Sequence, residues 1–431
     1  FLKLLFDYFM NFFKKLDLQE IIYNIVYADN FESSLKIYER YFYDLIGYKF
    51  ILTFDNDGGA VTGQSIDKYF SKGASVKSLF SEKKVFVLDE DTYNQMKIYG
   101  KSDFLIDYSI SLDTMALSYL EPFIYTPKNN QLHDKIKEVF DFISRDDVFV
   151  DASPYILENS FNFLDQSKVD KIFNRIKAYE FLRNFDSEFY NKTGGIRSKK
   201  TEAELIKSTQ EIVSNKIYSL QNENLIKSIS KRFNMQYILL LIISIIQLKH
   251  TNKTLFEKMD LYFSYSEKYL SALSIREAFL ARDFFIIKQD LLFFKHIQLR
   301  KANILDKLKN MTWDVLHFRN LEEASTFKLN KEARYFFPAI LTFDVGFQEI
   351  IENFKVKGLV YNNLGDIFPF YKKEISDIEG LTEEEILILS KRYFSDEAKI
   401  LRYMELEQTK TQIEQNVEIL EFELLEAANI S

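Results

Sequence analysis

The stretch Phe104-Leu-Ile-Asp-Tyr-Ser-Ile-Ser-Leu-Asp113-Thr114-Met115-Ala-Leu-Ser-Tyr-Leu120 reads as a strand that closes on an acid and turns into a helix. Strand, acid, helix is the entry unit of a parallel α/β sheet. An apolar run ending in Asp delivers a carboxylate to the carboxyl edge of the sheet, where sites form in open α/β folds. The same reading applies to Phe337-Pro-Ala-Ile-Leu-Thr-Phe-Asp344, with a helix beginning near Phe347. Ile51-Leu-Thr-Phe-Asp55 and Lys84-Val-Phe-Val-Leu-Asp89 repeat the pattern more weakly.

Outward from these strands the character changes twice. From about 160 to 310 glycine occurs only as Gly194-Gly195 and proline is absent. Helical periodicity is nearly continuous there, over Lys168–Phe185, Thr201–Ser219, Lys227–Lys249, Thr254–Tyr269 and Ser274–Phe294. The expected organisation is a helical segment at 1–48, the first part of an α/β core at 49–160 and a helical insertion at 161–309. The second part of the core follows at 310–375, and helices at 376–431 end the chain. The fold class is therefore α/β: a parallel-sheet core with a large helical insertion and helical termini.

The 431 residues include 42 Phe and 26 Tyr but only 12 Gly and 5 Pro, so core volume is ample and loops are short. No cysteine is present, which excludes disulfides, thiolate nucleophiles and Cys-based metal sites and fits a reducing, cytoplasmic setting. The four histidines (His133, His250, His296 and His317) have no metal-ligand spacing. Net charge is −8, so any nucleic-acid groove must be a local basic patch. Tyr237–Leu248 is too short to cross a bilayer and reads as a buried core helix, so no membrane span is expected. Phe1–Lys15 reads as an amphipathic helix. Because the chain opens on Phe1 rather than Met, its native start is expected upstream.

Four acids stand at or just after apolar runs: Asp113, Glu158 in Pro154-Tyr-Ile-Leu-Glu-Asn159, Asp314 in Met311-Thr-Trp-Asp, and Asp344. Carboxylates that converge repel one another unless a cation joins them, and Mg²⁺ or Mn²⁺ favours oxygen ligands. Each also has a plain alternative. Asp113 suits a helix N-cap, Glu158 a solvated helix face, Asp314 an ion pair with Arg319 or Lys309, and Asp344 a turn. His317 shares a helix face with Asp314, and His317 and Arg319 are candidates for phosphate contact or for ordinary packing. Arg197, Lys199 and Lys200 beside the two glycines form the best local phosphate-binding loop, with a solvated loop as the alternative. Asp55-Asn-Asp-Gly-Gly59 lacks the Glu of a calcium loop and reads as a turn, as does Asp89-Glu-Asp91. Glu277, on a helix with internal ion pairs, is the reserve for the second acid.

As an ordered set the four segments resemble the PIN-domain nucleases. Asp113-Thr114 matches the acid that closes that family's first strand. Glu158 stands where its second acid falls, Asp314 matches the third, and Thr342-Phe343-Asp344 matches the fourth. Met115 stands where the family usually has a short polar residue, and the span from Glu158 to Asp314 exceeds that of a minimal PIN domain. The resemblance covers about 110–160 and 310–360. It implies a PIN-like core and metal-assisted phosphodiester hydrolysis. Asp113, Asp314 and Asp344 would hold Mg²⁺ or Mn²⁺, with Glu158 as a ligand or orienting the water. RNA is favoured over DNA, in a toxin or phage-defence setting with a possible regulatory protein partner. The competing expectation is a non-enzymatic helical scaffold, since the Phe- and Tyr-rich helices fit burial at least as well as base stacking.

Overall fold

A computed structural model of the chain describes residues 17–54, 67–80, 84–126, 131–329 and 331–429. The helix expected at Phe1–Lys15 and the turn at Asp55–Gly59 lie outside the described residues. The architecture is mixed α/β and largely helical. Among the described residues the strands are β1 (Tyr48–Thr53), β2 (Lys68–Tyr69), β3 (Ser75–Ser78), β4 (Val85–Leu88), β5 (Leu105–Leu112), β6 (Val150–Asp151), β7 (Ala333–Thr342), β8 (Val356–Asn362) and β9 (Ile367–Tyr371).

They form two sheets rather than the single parallel core expected. One has the order β2-β3-β7-β5-β6. In it β5 runs parallel to both β6 and β7, while β3 pairs antiparallel with β2 and with β7. The other, β4-β1-β8-β9, is antiparallel throughout. Strands β1 and β4 thus belong to a different sheet from β5 and β7, the strands that lead to Asp113 and Asp344. Register places Leu112 opposite Leu341, so the last two acids emerge together at the carboxyl edge of one parallel pair.

Helices α1 (residues 17–26), α2 (Phe31–Arg40) and α3 (Glu90–Tyr99) cover the antiparallel sheet, with Ile22, Ile25, Tyr38 and Tyr93 packed against Phe50, Leu52 and Val360. Asp89 is no solvated turn. It is buried at the α3 N-terminus, accepts from the Thr92 N–H (2.7 Å) and the Tyr335 hydroxyl (2.7 Å), and lies 3.9 Å from Arg334.

The site-bearing sheet is covered by α4 (Thr114–Tyr125), α5 (Gln131–Ile143), α6 (Ser153–Glu158), α7 (Gln166–Arg183), α8 (Ser187–Thr193) and α9 (Glu202–Ser219). Ile172, Ile176 and Leu205 of α7 and α9 join Leu117, Leu120 and Phe140 in one core. Helices α10 (Glu223–Lys249), α11 (Leu255–Leu270), α12 (Ile275–Ile287) and α13 (Ile304–Ala324) build another. The stretch 161–309 is therefore not one inserted body. It divides at Asn222, whose side chain caps α10, and each half buries its apolar face in a different core.

Helix α10 is long and apolar enough to cross a membrane by length and composition, and Gln236–Gln247 are buried on every face. After α13 and β7 come α14 (Val345–Ile350), the second sheet's β8 and β9, then α15 (Glu383–Tyr393), α16 (Asp396–Thr411) and α17 (Ile413–Ala427). Leu420 and Leu424 of α17 pack in the same core as α10.

Candidate active site

Asp113 and Asp344 begin where their strands stop. Asp113 donates its N–H to the Leu341 carbonyl (3.3 Å) and accepts from the Ala116 N–H at Oδ1 (2.6 Å), capping α4. Asp344 caps α14 the same way, accepting from the Phe347 N–H (2.8 Å). The cap alternative for Asp113 is thus realised, and Asp344 adopts the same role. One carboxylate oxygen of each is committed to its cap. Thr342, fully buried, ties the two acids together. Its hydroxyl donates to Asp113 and accepts from the Asp344 N–H (3.0 Å).

Glu158 arrives at the end of the short helix α6 rather than of a strand, and its carboxylate accepts from the Thr114 hydroxyl, next to Asp113. Asp314 projects from α13. One turn on, the buried His317 places Nε2 3.5 Å from Glu158 Oε2, and its ring stacks on Trp313 (centroids 5.7 Å apart, planes 23° off parallel). Neither imidazole nitrogen of His317 has a hydrogen-bond partner.

The four acids sense one another's charge. Burial, opposed by the hydrogen bonds from Thr342 and Ala116 and reinforced by the charges of Glu158 and Asp344, pushes the Asp113 carboxyl up to about 7. Burial, then the charges of Asp344, Asp113 and Glu158, drives Asp314 well above the usual carboxylate range. Burial works against ionised Glu158 too. There His317, then Thr114 and Arg175, outweigh it and hold the carboxyl below its ordinary value. Arg175, on α7, is a member of this neighbourhood that the sequence reading did not select.

The alternatives for Asp314 are not realised. Lys309 pairs with Glu421 (2.9 Å), and Arg319 turns to Gln236 (2.8 Å) and Glu277 (3.7 Å). Arg319 therefore belongs to a buried charge network rather than to the acids. Glu277 sits in that network, fully buried beside Arg276 and Arg319, and not with the four acids. Nor do the bases of the glycine loop join the site. Arg197 is fixed by Asp186 (2.7 Å), Lys199 lies 4.0 Å from Asp146, and Lys200 lies 3.6 Å from Glu180.

A different basic segment flanks the acids. Leu292–Phe294 packs against α14, where a Cβ on Gly346 would come within 3.0 Å of the Phe293 nitrogen. The chain then runs through Lys295, His296, Arg300, Lys301 and Lys307. Burial and the charges of Lys295, Lys307 and Lys301 hold His296 below its ordinary value, while Asp344 pulls the other way. Among the described residues the side chains of Lys295, Arg300, Lys301 and Lys307 have no ion-pair partner. Arg300 takes a left-handed backbone (φ 58°) and donates its N–H to the Ala428 carbonyl (2.7 Å). Lys307 precedes Asp314 by two helical turns on the same face of α13. No motif marks these bases, because they are scattered among apolar residues.

The donor set toward the centre is all oxygen, which suits a hard divalent cation. Burial, reinforced by the charges of the neighbouring acids, has already raised two of them, and Asp314 has no hydrogen-bond donor among the described residues. A cation would relieve both. As the side chains stand, no group of three or more His, Asp or Glu among the described residues is drawn into a ready-made ligand set. No family model, curated protein or solved structure matches the chain.

Proposed function

We propose that the chain is a metal-dependent endonuclease with a PIN-like active site, acting on RNA in preference to DNA. One observation carries the reading. Four acids from two distant stretches of sequence meet in one electrostatic cluster at the carboxyl edge of a parallel strand pair, linked by Thr114 and Thr342. Such crowding costs stability in a protein without a use for it.

Asp113, Asp314 and Asp344 would hold Mg²⁺ or Mn²⁺, and the bound ion supplies Lewis acidity toward the phosphodiester. The other roles fall to the chain's own groups. Glu158, kept ionised by His317, Thr114 and Arg175, is the carboxylate able to take a proton from the attacking water. Thr114 fixes the orientation of that carboxylate, and Thr342 fixes Asp113 relative to Asp344. Lys295, Arg300, Lys301 and Lys307 offer unmatched positive charge to the phosphates on either side of the cut, which an acidic protein needs locally.

The test is cleavage of a mixed RNA pool by the purified chain with Mn²⁺. Asp113→Asn and Asp344→Asn should each abolish it. Retained cutting in either variant removes that acid from the site, and an inert parent leaves the chain as a helical scaffold.

A further inference from the structure

A cleft of about 490 Å³ has Phe161, Phe233 and Trp313 among its walls. Two of these residues, Trp313 and Phe161, connect the cleft to the site. Trp313 directly precedes Asp314, and its ring stacks on His317, which reaches Glu158. Phe161 follows Glu158 by one turn of chain. Phe233, from α10, closes on Trp313 with ring centroids 4.8 Å apart.

The polar lining includes Asn234 of α10 and Glu414 and Glu418 of α17. The cleft's one base, Lys309, is already paired with Glu421 at 2.9 Å. This chemistry rejects a phosphate and accepts a flat neutral ring. Aromatic walls stack against the π-face of any base, and carboxylates accept from amino edges.

We infer that the cleft receives an unpaired nucleobase of the bound strand, next to the phosphodiester presented to the acids. The inference rests on the nuclease reading and narrows its substrate to single-stranded RNA. Adenine, cytosine and guanine offer Glu414 and Glu418 an amino group. Uracil offers two carbonyls and one N–H, so it is the weakest occupant.

Trp313 is the chain's only tryptophan, so its fluorescence reports on the cleft directly. The full chain is titrated in EDTA with hexamers of riboadenylate, ribocytidylate and ribouridylate, and with an abasic ribose-phosphate hexamer of equal charge. The adenylate and cytidylate oligomers should quench Trp313, uridylate less, and the abasic chain not at all. Phe161 is 45% exposed, so Phe161→Ala should leave the fold intact. The loss of one stacking partner should weaken adenylate binding by about 5- to 150-fold. In Mn²⁺ the same variant should raise KM in proportion with little change in kcat.

Equal quenching by the abasic chain, or unaltered binding and KM in Phe161→Ala, overturns the inference. Cutting that persists alongside such a result leaves the nuclease standing without a base cleft. Base-dependent quenching without Mn²⁺-dependent cutting sinks the nuclease and keeps the cleft as a single-strand binding site.

Discussion

Asp113→Asn should make the metal-free protein more stable while making it inactive. In the folded chain the Asp113 carboxyl sits at about 7 against an ordinary value of 3.8. A carboxyl raised by folding favours the native state in its protonated form. That contribution is complete below pH 3.8 and is lost as the pH climbs through about 7. At roughly 1.4 kcal/mol per pH unit, the full gap is worth about 4 kcal/mol, a ceiling because Asp314 and Glu158 share the crowding. Asparagine stays neutral at every pH. Its Oδ1 can still accept from the Ala116 N–H, and the Thr342 hydroxyl can rotate to meet the amide. Parent and variant should therefore unfold alike near pH 4. Their stabilities should diverge between pH 4 and 7, and the gap should stay constant above that. The assay is urea unfolding of both proteins in EDTA at a series of pH values. Added Mn²⁺ at pH 8 should stabilise the parent more than the variant and narrow the gap. A parent equal to or more stable than the variant at pH 8 without metal, or a pH-independent difference, would refute the electrostatic account of the site.

Three further outcomes follow from particular contacts. Thr342→Val keeps the buried volume but strands the Asp344 N–H and removes a donor from Asp113. It should cost about 1–3 kcal/mol in denaturant unfolding and move the acidic limb of the pH–rate profile upward, since Asp113 becomes harder to ionise. Glu277→Gln leaves Arg276 and Arg319 short of a buried counter-charge. It should destabilise the fold by about 3–5 kcal/mol without changing the Mn²⁺ response, whereas a lost Mn²⁺ response would return Glu277 to the site. Gly346→Ala drives a methyl into the backbone of Leu292 and Phe293, both within 3.1 Å. It should cost about 1–3 kcal/mol and weaken RNA binding measured by anisotropy, because the basic segment after Phe294 must move.

Asp113 and Asp344 were legible because their signal is local: an apolar run, an acid, then a helix. The same local words misled elsewhere. Leu-Thr-Phe-Asp occurs at 52–55 and again at 341–344, yet β1 and β7 lie in different sheets. Strand pairing is decided by distant partners, here β4 and β8 for β1, and no short pattern records them. The helical stretch 161–309 was read correctly as helix but wrongly as one body, since periodicity gives a buried face without naming the core that receives it. Asp314 and Glu277 posed the same problem. Each is an acid on an apolar helix, and only tertiary neighbours separate them, three acids around one and two arginines around the other. Lys295, Arg300, Lys301 and Lys307 carried no signal, because the packing of Leu292–Phe294 on α14 is what brings their segment to Asp344.

Helix α13 connects these two environments. Its Asp314 and His317 face the acid cluster, while Arg319 and Glu322, further along, enter the buried charge network with Glu277 and Arg276. That network is incompletely satisfied. Arg276 Nε, Glu277 Oε1 and Gln236 Nε2 have no hydrogen-bond partner. Buried ion pairs of this kind contribute little net stability, but removing one partner is expensive. A turn of α13 by one residue would rotate it by about 100° and separate Arg319 from Glu277 and Glu322 from Arg276 together. Asp314 has no hydrogen bond of its own among the described residues, so its position depends wholly on the helix that carries it. The charge network fixes that register from within the core. It thereby places an acid with no hydrogen bond of its own beside the other three.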